Sequence, residues 1–170
     1  MQKKKHKIIS VNKYNQDIYD LVYSKLNDYE KDKLTRMPKN RGIHFIMGRY
    51  LMIKDGIDIS KITYNENGKP LLDNLYFSIS HSDEYTILVT SDKEIGVDIE
   101  HIRKIDESLK KTFLKNENAS DIQFLEYMTH QESYIKLNGF GLRHFDDSFD
   151  NYKFDTFKYK DYLITICERK

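Results

Sequence analysis

Apolar residues change their spacing twice along this chain. From Asp17 the positions Ile18, Leu21, Val22, Leu26 and Tyr29 recur at steps of three and four, which places them on one helix face. Pro38 interrupts, because proline cannot extend a helix without losing a hydrogen bond and clashing with the preceding turn. Ile43, Ile46, Met47, Tyr50, Leu51 and Ile53 then form the stripe of a second helix that ends near Gly56. Between 61 and 100 the pattern becomes that of strands: 61–64, 75–80, 85–90 and 94–100 are β-branched and aromatic, separated by the polar turns Asn65-Glu66-Asn67-Gly68 and Ser91-Asp92-Lys93. A sheet is expected in the middle of the chain. Helical spacing returns from Glu107 to about Asn116 and from Asp121 to Asn138, where Ile122, Leu125, Met128, Glu132, Ile135 and Lys136 fall near one side before Gly139 and Gly141 stop the helix. A short strand at 7–11 opens the chain, and strands at 152–158 and 161–167 close it.

This order predicts an α+β fold built as two similar α/β lobes in one chain, 1–97 and 98–170, with a seam near residue 100. No sequence repeat accompanies the repeated plan, and no linker rich in Pro, Gly or Ser separates the halves.

Composition narrows the setting. With 170 residues, 39% hydrophobic and 32% charged, the chain supports one domain, or two small lobes sharing a core. Thirteen Tyr and nine Phe supply apolar mass, while a mean hydropathy of -0.72 implies a thin core under a charged surface. A net charge of +1 gives no polyanion signal, and the run Lys3-Lys4-Lys5-His6-Lys7 reads as a solvated end, so no nucleic-acid partner is expected. Cys167 is the sole cysteine, which excludes an intrachain disulfide and favours a reducing compartment. Ile8-Ile9 is too short for a signal-peptide core, and no run approaches the ~20 apolar residues of a membrane helix. A soluble cytoplasmic protein is expected.

Three stretches carry chemistry: Ser80-His81-Ser82, Gly96-Val97-Asp98-Ile99-Glu100, and Gln131-Glu132-Ser133-Tyr134-Ile135-Lys136. Asp98 and Glu100, two apart on a strand, leave the same face while Ile99 points to a core. Paired carboxylates repel unless a cation sits between them, and oxygen-only ligation suits Mg²⁺ or Mn²⁺; the plainer reading is a strand end with solvated acids. Glu132 and Lys136, four apart, share a helix face, either as a surface pair or, given Leu125, Met128 and Ile135 on the same broad face, as inward groups that want a metal or a partner. Ser80-His81-Ser82 is a turn with a satisfied histidine or a set of phosphate donors. Gly68-Lys69-Pro70 is a strand-connecting turn or a phosphate-facing lysine.

Gly68-Lys69-Pro70, Phe77-Ser78-Ile79-Ser80-His81-Ser82, Gly96-Val97-Asp98-Ile99-Glu100, and Glu132-Ser133-Tyr134-Ile135-Lys136 followed by Gly139-Phe140-Gly141-Leu142 together resemble the 4′-phosphopantetheinyl transferase superfamily. Their order and spacing are similar to the two-lobe surfactin-synthetase (Sfp) type, over residues 68–142. The resemblance implies a pseudo-dimeric fold and a monomer with its site between lobes. It also implies transfer of the 4′-phosphopantetheine arm of coenzyme A to a serine of an apo acyl or peptidyl carrier protein. In that reading Asp98, Glu100 and Glu132 ligate Mg²⁺, Lys69, Ser80 and His81 hold nucleotide phosphates, and Lys136 neutralises the diphosphate. Either Glu117, in Phe113-Leu-Lys-Asn-Glu117, or Glu132 takes the serine proton. Relatives often carry Arg where this chain has His44, so one nucleotide-binding cation becomes a titrating group. Gln131 replaces a common Lys, and Met128 a common aromatic. A relative that binds carrier or nucleotide without turnover is the alternative.

Overall fold

The computed structural model describes residues 4–114, 118–140 and 149–170. Strand β1 (Lys5–Ser10) leads through a 3-10 turn to helix α1 (Gln16–Lys25), which Asn15 caps by accepting from the Ile18 amide. The single stripe expected from Ile18 to Tyr29 is broken. Leu26 adopts an extended conformation, and the Asn27 side chain accepts from the Glu30 amide to start a separate helix, α2 (Asp28–Thr35). Asparagine competes for backbone groups locally, which is why it starts helices more readily than it continues them. Pro38 precedes α3 (Lys39–Lys54), a position where its missing N-H costs nothing.

The strands that follow are β2 (Thr63–Tyr64), β3 (Pro70–Leu71), β4 (Tyr76–Ser82), β5 (Tyr85–Ser91) and β6 (Ile95–His101). They do not make one sheet. β1, β5 and β4 form a three-stranded antiparallel sheet, β2 and β3 a small hairpin, and β6 leaves to pair with β8 (Tyr162–Arg169), itself paired with β7 (Tyr152–Tyr159). Between β4 and β6 the links are side-chain ones: the Val97 and His101 amides donate to the hydroxyls of Ser78 and Ser82, each at 3.1 Å. Helix α4 (Glu107–Leu114) precedes α5 (Asp121–Asn138), which starts at a capping box of Ser120 and Gln123 and ends at Gly139 in the left-handed conformation.

Strand alternation sorts the core. Tyr85, Ile87 and Val89 of β5, Ile95, Val97 and Ile99 of β6 and Tyr162, Ile164 and Ile166 of β8 share one buried cluster, so the two larger sheets bury residues against each other. Leu88 of β5 and Phe77 of β4 join Val22, Ile46, Leu51 and Met52 from the first helices. On the other sheet, Leu163 packs with Phe124 and Leu125, and Cys167 with Tyr134 and Leu137, all from α5. Burial pushes the Cys167 thiol up to about 12, so it is a packing group. No helix among the described residues is long and apolar enough to cross a membrane.

Candidate functional site

Because Val97 and Ile99 face the shared core, Gly96, Asp98 and Glu100 lie on the opposite face of β6, beneath α5. Gly96 permits this approach. A Cβ there would meet the Ser133 carbonyl oxygen at 1.9 Å and the Leu137 amide at 2.7 Å, so the helix backbone rests directly on the strand. Glu132 and Lys136 are thereby brought to the edge where β6 meets β4.

The contacts at that edge are short and buried. Lys136 Nζ donates to Asp98 Oδ1 at 2.7 Å and to Ser80 Oγ at 2.7 Å, and the Ser80 hydroxyl donates to Asp98 Oδ1 at 2.8 Å. Asp98 is 5% exposed, and its Oδ2 is buried with no hydrogen-bond partner among the described residues. Lys136 is therefore not engaged in a simple surface pair along its own helix; it reaches across to the strand. Burial, and next the charge of Asp98, raise the pKa of both Glu100 and Glu132, while Lys136 opposes the shift in each. Arg103 Nη1 holds Glu100 Oε2 at 3.2 Å. Glu100 and Glu132 thus both feel the charge of Asp98, although among the described residues no three His, Cys, Asp or Glu side chains stand close enough together to hold a metal ion.

Beside these acids opens a cleft of about 520 Å³, whose walls include Arg41, His44, Lys69, His81, Glu132 and Lys136. Lys69 comes from the β2–β3 hairpin, where the Asn65 side chain accepts from its amide at 2.8 Å. Its ammonium donates to the Leu137 carbonyl, its chain lies over Gly139, and burial lowers its pKa. Ser80-His81-Ser82 is not a turn: all three residues belong to β4. Alternation turns Ser80 toward Asp98 and His81 toward α3, where its ring stacks on His44 with centroids 4.3 Å apart. Burial first, then His44, Lys136 and Arg41, press the His81 pKa down to about 4. Glu117 lies outside the described residues.

Two of the departures from the family pattern are packing positions. Gln131 is fully buried, and Met128 packs against the cluster of Ile105, Phe124, Leu125 and Leu163. Arg49, which sequence reasoning did not single out, lines the cleft. Its Nη2 donates to Glu30 Oε1 at 2.6 Å and to the Tyr64 hydroxyl at 3.0 Å, and that hydroxyl donates to Glu30 Oε1 at 2.6 Å. An arginine beside the apolar stripe of α3 was the available signal; its partner, from another helix, had none.

No family model matches the chain. It is 38% identical over 89 residues to the 4′-phosphopantetheinyl transferase gsp of Aneurinibacillus migulanus, covering 46% of this chain and 38% of that protein. The 4′-phosphopantetheinyl transferase Sfp of Bacillus subtilis (strain 168) is 32% identical over 114 residues, covering 61% of this chain and 51% of its own. The match to psf-1 of Bacillus pumilus is 28% over 96 residues, or 49% of this chain and 41% of that protein. The chain thus spans about half the length, or less, of these curated relatives. Over the part that matches, this α+β chain is similar to the Sfp-type 4′-phosphopantetheinyl transferases.

Proposed function

We propose that this chain transfers the 4′-phosphopantetheine arm of coenzyme A to a serine of an apo acyl or peptidyl carrier protein, releasing 3′,5′-ADP. The observation that carries the reading is Asp98, with Oδ1 held by Ser80 and Lys136 and Oδ2 buried with no hydrogen-bond partner among the described residues, beside a cleft whose lining includes Arg41, Lys69 and Lys136. Oxygen donors of this kind, with the ionised forms of Glu100 and Glu132 disfavoured by burial and by the charge of Asp98, fit a hard divalent cation such as Mg²⁺ or Mn²⁺. Asp98, Glu100 and Glu132 would hold it after modest side-chain movement, and when bound it offsets negative charge on diphosphate oxygens.

The chain's own residues do the rest. Arg41, Lys69, His81 and Lys136 bind the phosphates and hold the diphosphate in line with the incoming hydroxyl. The carrier serine oxygen bonds to the β-phosphorus as the bond from that phosphorus to the bridging oxygen breaks, and the electron pair leaves on 3′,5′-ADP. Lys136 neutralises charge on the departing group. Glu132, whose raised pKa makes it a readier proton acceptor, takes the serine proton, with Glu117 the other candidate. We also read the β1-β5-β4 sheet with its helices and the β6-β8-β7 sheet with its helices as the two similar lobes, in a cytoplasmic monomer.

Incubation with coenzyme A, Mg²⁺ and an apo carrier protein, followed by weighing the carrier, tests this. A gain of one phosphopantetheine is the expected result. Binding without a gain instead favours a relative that holds carrier or nucleotide without turnover, a reading motivated by the grip of Lys136 on Asp98 Oδ1.

A further inference from the structure

Lys136 stands between two sets of oxygens. Its side chain is part of the wall of the main cleft, with Glu132 and Ile135, yet its ammonium is spent on Asp98 Oδ1 and Ser80 Oγ, each at 2.7 Å. The Lys136 side chain keeps 30% of its surface exposed while Asp98 is buried, so the lysine joins a closed carboxylate to an open cleft. A flexible four-carbon stem lets such an ammonium change partners without moving the helix that carries it.

Asp98 is engaged unevenly. Oδ1 accepts from both Lys136 and the Ser80 hydroxyl, whereas Oδ2 is buried with no hydrogen-bond partner among the described residues, which is a costly state for a carboxylate oxygen. Lys136 also acts on Glu100 and Glu132 together, whereas Arg103 acts on Glu100. It therefore already gives the three acids the positive charge that a metal would give them. The two oxygens belong to one carboxylate, so a divalent cation on Oδ2 and the ammonium on Oδ1 are neighbours of like charge in a place that water screens little. They compete for Asp98.

We propose that Lys136 is an exchangeable counter-ion: its ammonium holds the place of the divalent cation on Asp98 and passes to the diphosphate as that cation binds, so that metal and coenzyme bind cooperatively through one lysine. This deepens, and rests on, the coenzyme A reading. Either ligand alone is handicapped. The metal alone must displace an ammonium that has no other anion to go to, and the diphosphate alone draws the ammonium away and strips Asp98 of its charge partner. Together each supplies what the other removes, and the gain is the same whichever binds first.

Binding of Mn²⁺ to the whole chain, read by electron paramagnetic resonance with and without coenzyme A and corrected for Mn²⁺ held by the coenzyme itself, tests the proposal. Without coenzyme A, Lys136→Gln should bind Mn²⁺ about tenfold more tightly than the parent, and the gain on adding coenzyme A should be about tenfold smaller. Lys69→Gln, which removes a cleft lysine that lies on the Leu137 carbonyl and not on these acids, should bind Mn²⁺ alone as the parent does. A measurement on the parent stands even where the Lys136 variant does not fold: Mg²⁺ alone should speed acetylation of Lys136 several-fold, read as the mass of its peptide, because the amine leaves its carboxylate. Mn²⁺ binding no tighter in Lys136→Gln, an undiminished gain with coenzyme A, or a Lys136 reactivity that Mg²⁺ leaves unchanged overturns the proposal and leaves the transferase reading standing. Failure of the parent to bind Mn²⁺ even with coenzyme A overturns the metal set on which both rest.

Discussion

A side-chain carbon on Gly96 would sit 1.9 Å from the carbonyl oxygen of Ser133, far inside van der Waals contact. That closeness sets the distance between β6 and α5, and with it the reach of Lys136 to Asp98. Gly96→Ala must push the helix off the strand. The expected loss is about 3 kcal/mol or more, at the upper end of overpacking costs, because the obstruction is backbone and cannot rotate away. Chemical denaturation of the variant against the parent checks it. Unchanged stability would mean that α5 does not rest on Gly96.

Removing Asp98 separates chemistry from fold. Asp98→Ala deletes the shared acceptor of Ser80 and Lys136 and the open Oδ2, but leaves those two side chains within 2.7 Å of each other. Transfer to a carrier protein should fall about a hundredfold or more, as when a group stabilising developing charge is lost, while the circular-dichroism spectrum stays that of the parent. Activity retained at ordinary Mg²⁺ concentrations would remove Asp98 from the metal set.

These contacts show how far the sequence could be read. Alternation alone placed Ile99 in the core and Asp98 and Glu100 on the other face, because a strand has one period and one apolar stripe. Helix spacing likewise put Glu132 and Lys136 together. Pairing was not legible in the same way: nothing in the middle strands says that β6 joins β8 instead of β4, since their apolar patterns suit either neighbour. The break at Leu26–Asn27 was hidden by apolar residues that continue a helical stripe across it. Arg49, Glu30 and Tyr64 escaped notice for a similar reason, being distant in sequence and joined only by the fold.

Acid stability offers a test of the crowded carboxylates. Burial and Asp98 raise the pKa of Glu132 above its ordinary 4.5, so the folded state holds this proton where the unfolded state has released it. Stability therefore declines as the pH rises from the ordinary value through the raised one, and the penalty persists above it. Without divalent cations, Glu132→Gln should melt higher than the parent at pH 7 and nearly level with it at pH 4. Added Mg²⁺ should raise the melting temperature of the parent more than that of the variant. A lower melting temperature for the variant at pH 7 would show that the Glu132 carboxylate is already compensated.

The pair Glu30 and Arg49 gives the last prediction. Both are buried, at 0% and 4% exposed, and Tyr64 completes their hydrogen bonding from the strand that pairs with Pro70, next to Lys69. Glu30→Ala leaves a buried guanidinium without its carboxylate and should cost about 3–5 kcal/mol. Replacing both partners, as Glu30→Leu with Arg49→Met, removes the stranded charge and should cost much less. Tyr64→Phe keeps the ion pair, loses one hydroxyl at about 1 kcal/mol, and loosens the hairpin that carries Lys69. Its expected signature in the transfer assay is a several-fold rise in KM for coenzyme A with little change in kcat, since Lys69 binds phosphate and takes no part in the bond exchange. A fall in kcat with KM unchanged would place the hairpin in the chemical step.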